Sequence, residues 1–327
     1  FSLDIIQDLW DIYTQYSIMN GDIIMKEINE EIDKLKKEKN AVILAHYYVD
    51  GAIQDIADYL GDSYYLSKIA IDSPQDVIVF AGVEFMGESA KLLNPNKTVL
   101  MPDLDADCPM AHMVEEAFIK KMRQEYDDLC VVCYINSTAK IKSLSDVCVT
   151  SSNAKTIVGA LPNKNILFIP DQDLGHHIAK MFPEKNFLFC DGYCPSHYQI
   201  TVDDLKMAKK AHPNALILIH PECKPECVAM ADYAGSTSGI IDYATNDKEH
   251  DEFIVVTEAG VLHEMQKQNP DKKFYLASDK LICPDMKKNT LEKVRDCLKY
   301  GLNKVELDDE FMEKARKPLE RMHELAK

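Results

Sequence analysis

A segment that ends in Cys-Pro occurs three times in this chain, at nearly even spacing. Each copy is an apolar stretch that runs into a loop and ends at Cys108-Pro109, Cys194-Pro195 or Cys283-Pro284. The intervals between the cysteines are 86 and 89 residues. Solenoid repeats have periods of about 20 to 50 residues, so a period this long corresponds to a whole domain. The repeat therefore predicts three domains of similar fold within one chain.

Apolar stretches recur inside each unit as well. AVILAHYY, CVVCYINS and ALILIHPE open the three units, and VIVFAGVEF, NILFIPDQDLG and EFIVVTEAG follow them, with helical patterns between. Strands that alternate with helices are typical of parallel sheets with helices on both faces. We therefore expect an α/β fold of three αβα domains related by a pseudo-threefold axis. The predicted segments are N-terminal helices over 1–40, domains over 41–128, 129–213 and 214–300, and C-terminal helices over 301–327.

Polar residues stand in pairs at the ends of the three opening strands. The pairs are His46 with Tyr48, Tyr134 with Asn136, and His220 with Glu222. Residues two apart share one face of a strand, and ligands bind beyond the carboxyl ends of parallel strands. A lone histidine is usually structural, but six polar groups at equivalent strand ends are better explained as a pocket on the common axis.

A hydroxyl residue lies seventeen positions after each opening marker: Ser63 after His46, Ser151 after Tyr134, and Thr237 after His220. We expect these residues to cap helices, and helix N-termini also bind anions. The four arginines all lie outside the motifs, so a bound phosphate or carboxylate must be held by hydroxyls, amides, His or Lys. Lys287, just after the third Cys-Pro, is a candidate anion ligand.

The three Cys-Pro cysteines are candidate metal ligands. Proline is favoured at the first helical position, which puts each cysteine at or near a helix N-cap. The positive end of a helix lowers a thiol pKa and favours the thiolate. A single free cysteine is usually a core residue, but the recurrence favours a soft-metal or iron–sulfur site. Zinc is the competing metal, although structural zinc sites usually use close Cys-x2-Cys pairs.

The other seven cysteines are predicted to belong to the core. Cys130 and Cys133 lie in a strand pattern, where residues three apart face opposite sides. Cys223 and Cys227 could share a helix face, so a second metal site there is the less favoured alternative. The remaining cysteines interpreted as core are Cys148, Cys190 and Cys297. Ten cysteines in a chain of this length are not a secreted disulfide framework, so reduced thiols are expected.

Charge and hydrophobicity restrict the partners. The formal net charge is −17 with only four arginines, which argues against a nucleic acid or an anionic membrane surface as partner. The sequence has no apolar run of about 18 residues and no basic segment before the first apolar residues. We therefore expect a cytoplasmic protein that binds small molecules.

Several longer motifs together resemble those of the quinolinate synthase family, from about Ala41 to Tyr300. They are AHYY with IQDIADYLGDS, FAGVEFMGESAK, MPDLDADCPMAHM, YINS with SDVCVTSSNA, PDQDLG, GYCPSH, HPEC with ADYAGSTSGII, and CPDMKKNTLEKV. The resemblance implies three αβα domains around one [4Fe-4S] cluster held by Cys108, Cys194 and Cys283. It also implies that the fourth iron is open to substrate.

The resemblance also implies roles for the residues at the strand ends. Tyr48 matches the family's catalytic tyrosine, and Glu222 is the second residue expected in acid–base work, with His46 and His220 beside them. His197, in CPSH, matches a pocket histidine. The residues expected to bind substrate are His46, Ser63, Tyr134, Asn136, Ser151, His197, His220, Glu222, Ser236, Thr237 and Lys287. One departure is Lys280, which replaces a cysteine that forms a regulatory disulfide with the third ligand in some members.

The implied reaction condenses iminoaspartate with dihydroxyacetone phosphate and releases phosphate and two waters to give quinolinate. The cluster would act as a Lewis acid. Functional coupling to an L-aspartate oxidase, as the source of iminoaspartate, is expected. Two alternatives remain open at this point. One is a different enzyme on the same three-domain, three-cysteine plan, of the diphthamide-synthesis type, and the other is a redox sensor with a labile cluster.

Overall fold

Three separate parallel sheets of four strands form the frame of the protein in residues 23–327, the part that the computed structural model describes. The first sheet contains β1 (Ala41–His46), β2 (Tyr59–Gly61), β3 (Val77–Ala81) and β4 (Thr98–Leu100). The second contains β5 (Leu129–Tyr134), β6 (Val147–Val149), β7 (Asn165–Ile169) and β8 (Asn186–Phe189). The third contains β9 (Leu216–Ile219), β10 (Tyr233–Ala234), β11 (Glu252–Val256) and β12 (Lys273–Leu276).

The strand order is the same in every sheet: β2-β1-β3-β4, β6-β5-β7-β8 and β10-β9-β11-β12. Every pairing between these strands is parallel. Parallel strands need helical crossovers, and the central strands are almost wholly buried because helices cover both faces. The predicted α/β fold of three αβα units is therefore confirmed. We call the ranges 41–128, 129–213 and 214–300 units 1, 2 and 3, and their boundaries stay predictions.

The helices follow the strands in a regular alternation. Before β1 lies α1, over residues 23–38. The helices of unit 1 are α2 (Gly51–Ile56), α3 (Ser63–Asp72), α4 (Glu84–Leu93) and α5 (Glu116–Glu125). Those of unit 2 are α6 (Ala139–Ser143), α7 (Ala154–Ala160), α8 (Gln172–Ala179), α9 (Pro195–Tyr198) and α10 (Val202–Ala211). Those that follow are α11 (Pro225–Val228), α12 (Thr237–Asn246), α13 (Val261–Gln268), α14 (Leu291–Tyr300) and α15 (Asp309–Leu325).

The terminal segments cover unit 1 and unit 2. The helical prediction for 1–40 holds for α1, while residues 1–22 lie outside the described residues. The C-terminal segment forms one helix, α15, which packs against α4, α6 and β6 and so joins the first two units. Its buried side chains include Ala315, Leu319 and Met322. Within residues 23–327, no helix combines the length and the apolar character that crossing a bilayer requires.

The helix after each Cys-Pro packs on the next sheet in cyclic order. Helix α5 contacts β5 of the second sheet. Leu205 of α10 belongs to the same apolar cluster as Ile217 and Ile219 of the third sheet. Helix α14 returns to β3 of the first sheet, where Lys299 also bonds to Glu31 of α1. The chain therefore passes from one sheet to the next at each Cys-Pro segment.

A short strand in each sheet was not predicted, and an aspartate fixes its position. The strands β2, β6 and β10 have only two or three residues. Just before them, the carboxylates of Asp58, Asp146 and Asp232 accept the backbone N–H groups of Ile43, Val131 and Ile217, at 2.7 to 2.8 Å. In return, each aspartate N–H donates to the carbonyl of the same residue. This two-way clip occurs at the same register in all three sheets.

We expect Asp232→Ala to destabilise the protein by about 1–3 kcal/mol, because it leaves the buried N–H of Ile217 without an acceptor. Asp232→Asn keeps an acceptor oxygen and should cost less. Urea unfolding would measure both changes. An Asp232→Ala protein with the unfolding midpoint of the parent would show that the clip contributes nothing to stability.

Candidate active site

A central cavity with about 900 Å³ of empty volume lies where the carboxyl ends of the three sheets converge. The polar pairs at the ends of the opening strands all line this cavity: His46 with Tyr48, Tyr134 with Asn136, and His220 with Glu222. The structure thus brings together three pairs that lie about 90 residues apart in the sequence, because the three units present the same edge to one axis.

The three Cys-Pro cysteines line the same cavity. Cys108 and Cys194 are the N-caps of helical turns that begin at Pro109 and Pro195. Cys283 lies two residues before Asp285, the N-cap of the short 3-10 helix Met286–Lys288. The predicted location at or near an N-cap is therefore confirmed, although each of these turns has only three or four residues.

The lowering of the thiol pKa that we predicted from the helix ends is present at each of these cysteines, but burial outweighs it. Burial raises the pKa of Cys108, Cys194 and Cys283 above that of an ordinary thiol, and turns this short carry little macrodipole. Individual backbone N–H groups act in the opposite direction. Those of Met110 and Ala111 point at the Cys108 sulfur, and equivalent groups after Cys194 and Cys283 do the same.

The sulfur atoms of the three Cys-Pro cysteines and the N–H groups around them fit an iron–sulfur cluster. It consists of three soft sulfur atoms from three units, each supplied with backbone N–H groups that can bond to a coordinated thiolate. None of the other seven cysteines lines the cavity in the described part of the chain. Cys194, His197 and Glu222 also place three donor atoms within 4.8 Å of one another, so a single ion is the competing occupant.

The remaining cysteines belong to the interior. Cys130, Cys133, Cys148 and Cys297 are buried in the large apolar cluster that joins the first two units, and Cys190 is partly buried against it. Cys223 and Cys227 are buried in the core of the third unit. Neither belongs to a group of three close donor atoms among residues 23–327, and the second metal site there stays the less favoured alternative.

A chain of hydrogen bonds connects Tyr48 with Glu222 across all three units. The Tyr48 hydroxyl lies 2.8 Å from Thr237 Oγ1 and 2.7 Å from Thr257 Oγ1. Thr257 Oγ1 lies 2.9 Å from His197 Nε2. The other ring nitrogen of His197 lies 2.9 Å from Glu222 Oε2. Every one of these bonds joins residues of different units.

Glu222 is ionised in this network. Burial alone would raise the pKa of this carboxyl, but His220, His197 and the Tyr134 hydroxyl outweigh burial, and the pKa falls to about 2. The Tyr134 hydroxyl donates to Oε1 at 2.7 Å. Burial raises the pKa of Tyr134 well above its ordinary value, so this phenol keeps its proton.

When His197 is neutral, the ionised Glu222 carboxylate determines which group donates and which accepts in each of these hydrogen bonds. His197 Nδ1 lies 2.9 Å from Glu222 Oε2 and 3.1 Å from Cys194 Sγ, and a proton on Nδ1 serves both acceptors and leaves Nε2 as an acceptor. The Thr257 hydroxyl then donates to Nε2 and accepts from the Tyr48 hydroxyl, while Tyr48 can accept from Thr237. A proton that leaves Tyr48 therefore has a continuous path towards Glu222.

Two further histidines are held neutral beside this chain. Burial lowers the pKa of His220 to about 4 and that of His46 to about 3, although the Glu222 carboxylate acts in the opposite direction. In each, Nδ1 accepts a backbone N–H from the residue two positions later, Glu222 or Tyr48. His220 Nε2 lies 3.2 Å from Ser151 Oγ and the His46 ring packs edge-on against Tyr48. Both imidazoles therefore offer a neutral N–H donor.

The hydroxyl markers line the cavity but are not the helix caps that we predicted. The caps are neighbours: Asp62 for α3, Asn153 for α7 and Ser236 for α12. Ser63 and Thr237 occupy the first helical position of ten-residue helices, which frees their hydroxyl groups for the cavity. Ser151 lies in the turn before α7. In units 1 and 3 the residue one position earlier takes the capping role, because the Asp62 carboxylate and the Ser236 hydroxyl accept the N–H groups of Tyr65 and Gly239.

Two residues predicted to bind substrate lie outside the cavity wall. Ser236 Oγ accepts the N–H of Gly239 as a helix cap. The Lys287 ammonium bonds to the Tyr48 carbonyl and faces Glu258 and Asp50. Conversely, Glu258 lines the cavity and Thr257 belongs to its hydrogen-bond chain, but neither was predicted. Both directly follow β11, so a polar dipeptide immediately after a buried strand was the available signal.

Four acidic residues line the cavity, Asp62, Glu222, Glu258 and Asp285, so an anionic ligand would have to bind at its neutral polar groups. In residues 23–327, no lysine or arginine lines it. Helices α3 and α12 point their N-termini towards it, with Ser63 and Thr237 at the first turn. Asn136 Oδ1 is buried without a partner, and a buried acceptor of this kind requires a donor from a ligand or from water.

Comparison with known proteins identifies relatives of this chain. The profile of the family described as Quinolinate synthetase A protein matches residues 30–324. Quinolinate synthase of Clostridioides difficile (strain 630) is 54% identical over 301 residues, which cover 92% of this chain and 99% of the relative. Quinolinate synthase of Caldicellulosiruptor bescii is 51% identical over 298 residues, 91% of this chain and 98% of the relative. Quinolinate synthase of Fusobacterium nucleatum is 52% identical over 299 residues, which cover 91% of this chain and 99% of the relative.

The neutral histidines predict a pH dependence of stability. The pKa of His220 is lower in the folded protein, about 4, than its ordinary value of 6.5. Below pH 6.5 the unfolded chain therefore binds more protons, and stability falls as the pH falls from 6.5 towards 4. We expect His220→Gln to reduce the slope of unfolding free energy against pH by up to about 1.4 kcal/mol per pH unit. Urea unfolding between pH 7 and 5, at matched iron content, would measure it, and an unchanged slope would contradict a neutral His220.

Proposed function

The chain belongs to the quinolinate synthase family, and on that basis we propose that its central cavity condenses iminoaspartate with dihydroxyacetone phosphate to form quinolinate. Phosphate and two waters leave, and no net oxidation or reduction occurs. The observation that carries this proposal is the convergence of three cysteines, from three units, on the same cavity as the chain from Tyr48 to Glu222.

We propose a [4Fe-4S] cluster as the cofactor, held by Cys108, Cys194 and Cys283. Three sulfur donors and the backbone N–H groups around them support this choice over zinc, whose structural sites use four ligands. When bound, such a cluster supplies a Lewis-acidic open iron that can draw electron density from a substrate oxygen so that water can leave. Substrate binding and proton transfer are then the tasks of the cavity side chains.

Glu222 and Tyr48 are proposed as the acid–base residues. The ionised Glu222 carboxylate can accept a proton from a substrate carbon or oxygen. Burial raises the pKa of Tyr48 well above 10, so this residue enters the reaction as a proton donor. Its proton can be replaced by the reverse of that path, in which a protonated Glu222 donates to His197 Nδ1 while a proton on Nε2 passes to Thr257 and from Thr257 to Tyr48. This direction requires the His197 tautomer that is protonated at Nε2. Protons can therefore move between the two residues without bulk water.

Substrate anions are proposed to bind at the hydroxyl and imidazole groups of the wall. Ser63 and Thr237 offer hydroxyls at helix N-termini, and Asn136 offers a carboxamide whose oxygen is unpaired. His46, His220 and Ser151 add neutral donors at the strand ends. Neutral donors bind carboxylates and phosphate without the strong ion pairs that would slow product release, since quinolinate keeps two carboxylates.

Other proposals follow from family membership. Iminoaspartate is unstable in water, so a nearby L-aspartate oxidase is the proposed source, and a reducing cytoplasm is the proposed location because the thiols must stay reduced. The comparisons do not favour the two alternative functions, a diphthamide-synthesis type enzyme and a redox sensor. Lys280 bonds to Asp204 rather than forming part of a cysteine pair, which leaves no partner for a disulfide with Cys283 at that position.

Anaerobically loaded protein should be brown, contain about four iron atoms per chain and form quinolinate from both substrates. Changing any one of Cys108, Cys194 or Cys283 to Ala should remove the colour and the activity together. Cys297→Ala is the control, because this thiol is buried in the core of the first unit and should leave iron content unchanged. A colourless protein that is fully active with zinc would exclude the cluster.

Tyr48→Phe and Glu222→Gln should leave the protein folded and brown but reduce kcat by about 10²- to 10⁴-fold, because each removes a proton-transferring group with little change of volume. Tyr47→Phe is the matched control. Tyr47 packs with the apolar residues of the third unit and does not line the cavity, so its loss should be mild. Quinolinate formation under anaerobic conditions measures all three, and a dead Tyr47→Phe enzyme beside an active Tyr48→Phe enzyme would reverse the assignment.

A further inference from the structure

The backbone around Tyr48 is held by residues of the third unit. Residues 47–50, which we call the Tyr48 loop, connect β1 to α2. We propose that Lys287 and Glu258 form a positioning bracket, which fixes the backbone of the Tyr48 loop relative to the backbone of Cys283. This inference rests on the proposed catalytic role of Tyr48, and it assigns Lys287 a role in place of substrate binding.

Lys287 is the arm of the bracket that reaches unit 1. Its ammonium donates to the Tyr48 carbonyl at 2.7 Å and lies 3.2 Å from Glu258 Oε1 and 3.4 Å from Asp50 Oδ1. The contact with the Tyr48 carbonyl is a hydrogen bond, and the two carboxylates lie at ion-pair distance. The side chain is therefore committed to protein partners, and it reaches the main chain of the residue proposed to move protons.

Glu258 is the arm that reaches Cys283. Its carboxylate is fully buried, and Oε1 accepts the backbone N–H of Cys283 at 3.1 Å. Oε2 accepts the N–H of Gly260 at 2.6 Å. The carboxylate thus fixes the third sulfur ligand and the turn after β11 at the same time. A buried carboxylate needs a counter-charge, and Lys287 supplies it.

The Tyr48 loop is held from its other side by Gly260 and Gln54. A Cβ atom at Gly260 would lie 2.7 Å from the Tyr47 carbonyl oxygen and 2.8 Å from Tyr48 Cα, so the two backbones are in direct contact. The buried carboxamide nitrogen of Gln54 lies 2.8 to 2.9 Å from the carbonyls of Tyr47, Val49 and Gly260. With Lys287 on one side and this contact on the other, the loop has little freedom.

The geometry has a consequence for catalysis. The Tyr48 hydroxyl must meet Thr237 and Thr257, both of the third unit, within hydrogen-bond distance. A displacement of about 1 Å in a reacting group can cost about 100-fold in rate. The bracket fixes the Tyr48 main chain to the same unit that supplies those partners, and it does so through the residue that also fixes Cys283.

Four variants test the bracket in the anaerobically loaded enzyme. Lys287→Met removes both bonds, and we expect kcat to fall about 10- to 100-fold with little change in KM. Lys287→Arg can still donate to both oxygens and should recover most of the loss. Lys267→Met is the matched control, because Lys267 pairs with Asp55 across the same seam at the surface and touches neither the Tyr48 loop nor Glu258. It should keep kcat within about twofold.

The fourth variant separates positioning from charge balance. Lys287→Met alone leaves Glu258 buried without a counter-charge, which by itself destabilises the protein. In Glu258→Gln/Lys287→Met that charge is gone, while an acceptor for the Cys283 N–H remains. We expect the double variant to regain thermal stability but to keep the low kcat. If it regains kcat as well, Lys287 serves only to neutralise Glu258 and the bracket is refuted.

Hydrogen exchange supplies a readout that does not depend on turnover. Amides of residues 47–54 should exchange faster in Lys287→Met than in the parent, and Lys267→Met should leave them protected. Unchanged exchange in Lys287→Met would overturn the proposal. In a Tyr48→Phe background, Lys287→Met should lower kcat by less than about twofold, because the bracket acts through Tyr48. An active Tyr48→Phe enzyme would contradict the proposed function. An inactive Tyr48→Phe enzyme together with a fully active Lys287→Met enzyme would contradict the bracket alone.

Discussion

The chain must cross from one sheet to the next at each Cys-Pro segment, and the rest of the structure depends on that constraint. Each crossing ends a strand at the central axis, and the helix that follows packs on the neighbouring sheet: α5 on the second, α10 on the third and α14 back on the first. The strands end five to eight residues before the cysteines, and at Pro109 and Pro195 the proline begins a helical turn that leaves the preceding cysteine at the axis. Three crossings therefore deliver three sulfur atoms to one cavity, and the interfaces between units become the active site. Glu222 shows the result, because its buried charge is satisfied by Tyr134 and His197 of another unit.

The repeat made most of the fold predictable. Equivalent positions revealed three strands in each unit, the αβα layers and the convergence of the strand-end pairs. The fourth strand of each sheet could not be predicted, because β2, β6 and β10 are too short to show a period of two. Hydrogen bonds from Asp58 and its counterparts, rather than apolar contacts, hold these strands in place. The cyclic exchange of helices also escaped, because periodicity shows which face of a helix is apolar but not which sheet that face covers.

The site residues that occupy equivalent positions of the repeat could be predicted from the sequence. The contacts between side chains of different units could not. The cysteines, Tyr48 and Glu222 stand out because each has counterparts at equivalent positions. The net shift of the thiol pKa could not be predicted, because a helical turn is visible in a sequence, whereas its length of three or four residues and the burial of the sulfur are not. Lys287 was taken for an anion ligand because its partners Glu258 and the Tyr48 carbonyl are distant in sequence.

An asymmetric reaction on a symmetric frame requires the equivalent positions to differ in chemistry. The residue that directly follows the second long strand is Gly82 in unit 1, Pro170 in unit 2 and Thr257 in unit 3, and only the threonine can pass a proton from Tyr48 to His197. The next position carries Val83, Asp171 and Glu258. Val83 forms part of the cavity wall, Asp171 caps α8, and Glu258 ties Cys283 to the Tyr48 loop. The repeat thus determines where side chains reach the axis, and substitutions at equivalent positions determine what each does there. The third unit carries most of the proton-handling groups because it touches the Tyr48 loop on one side and His197 on the other.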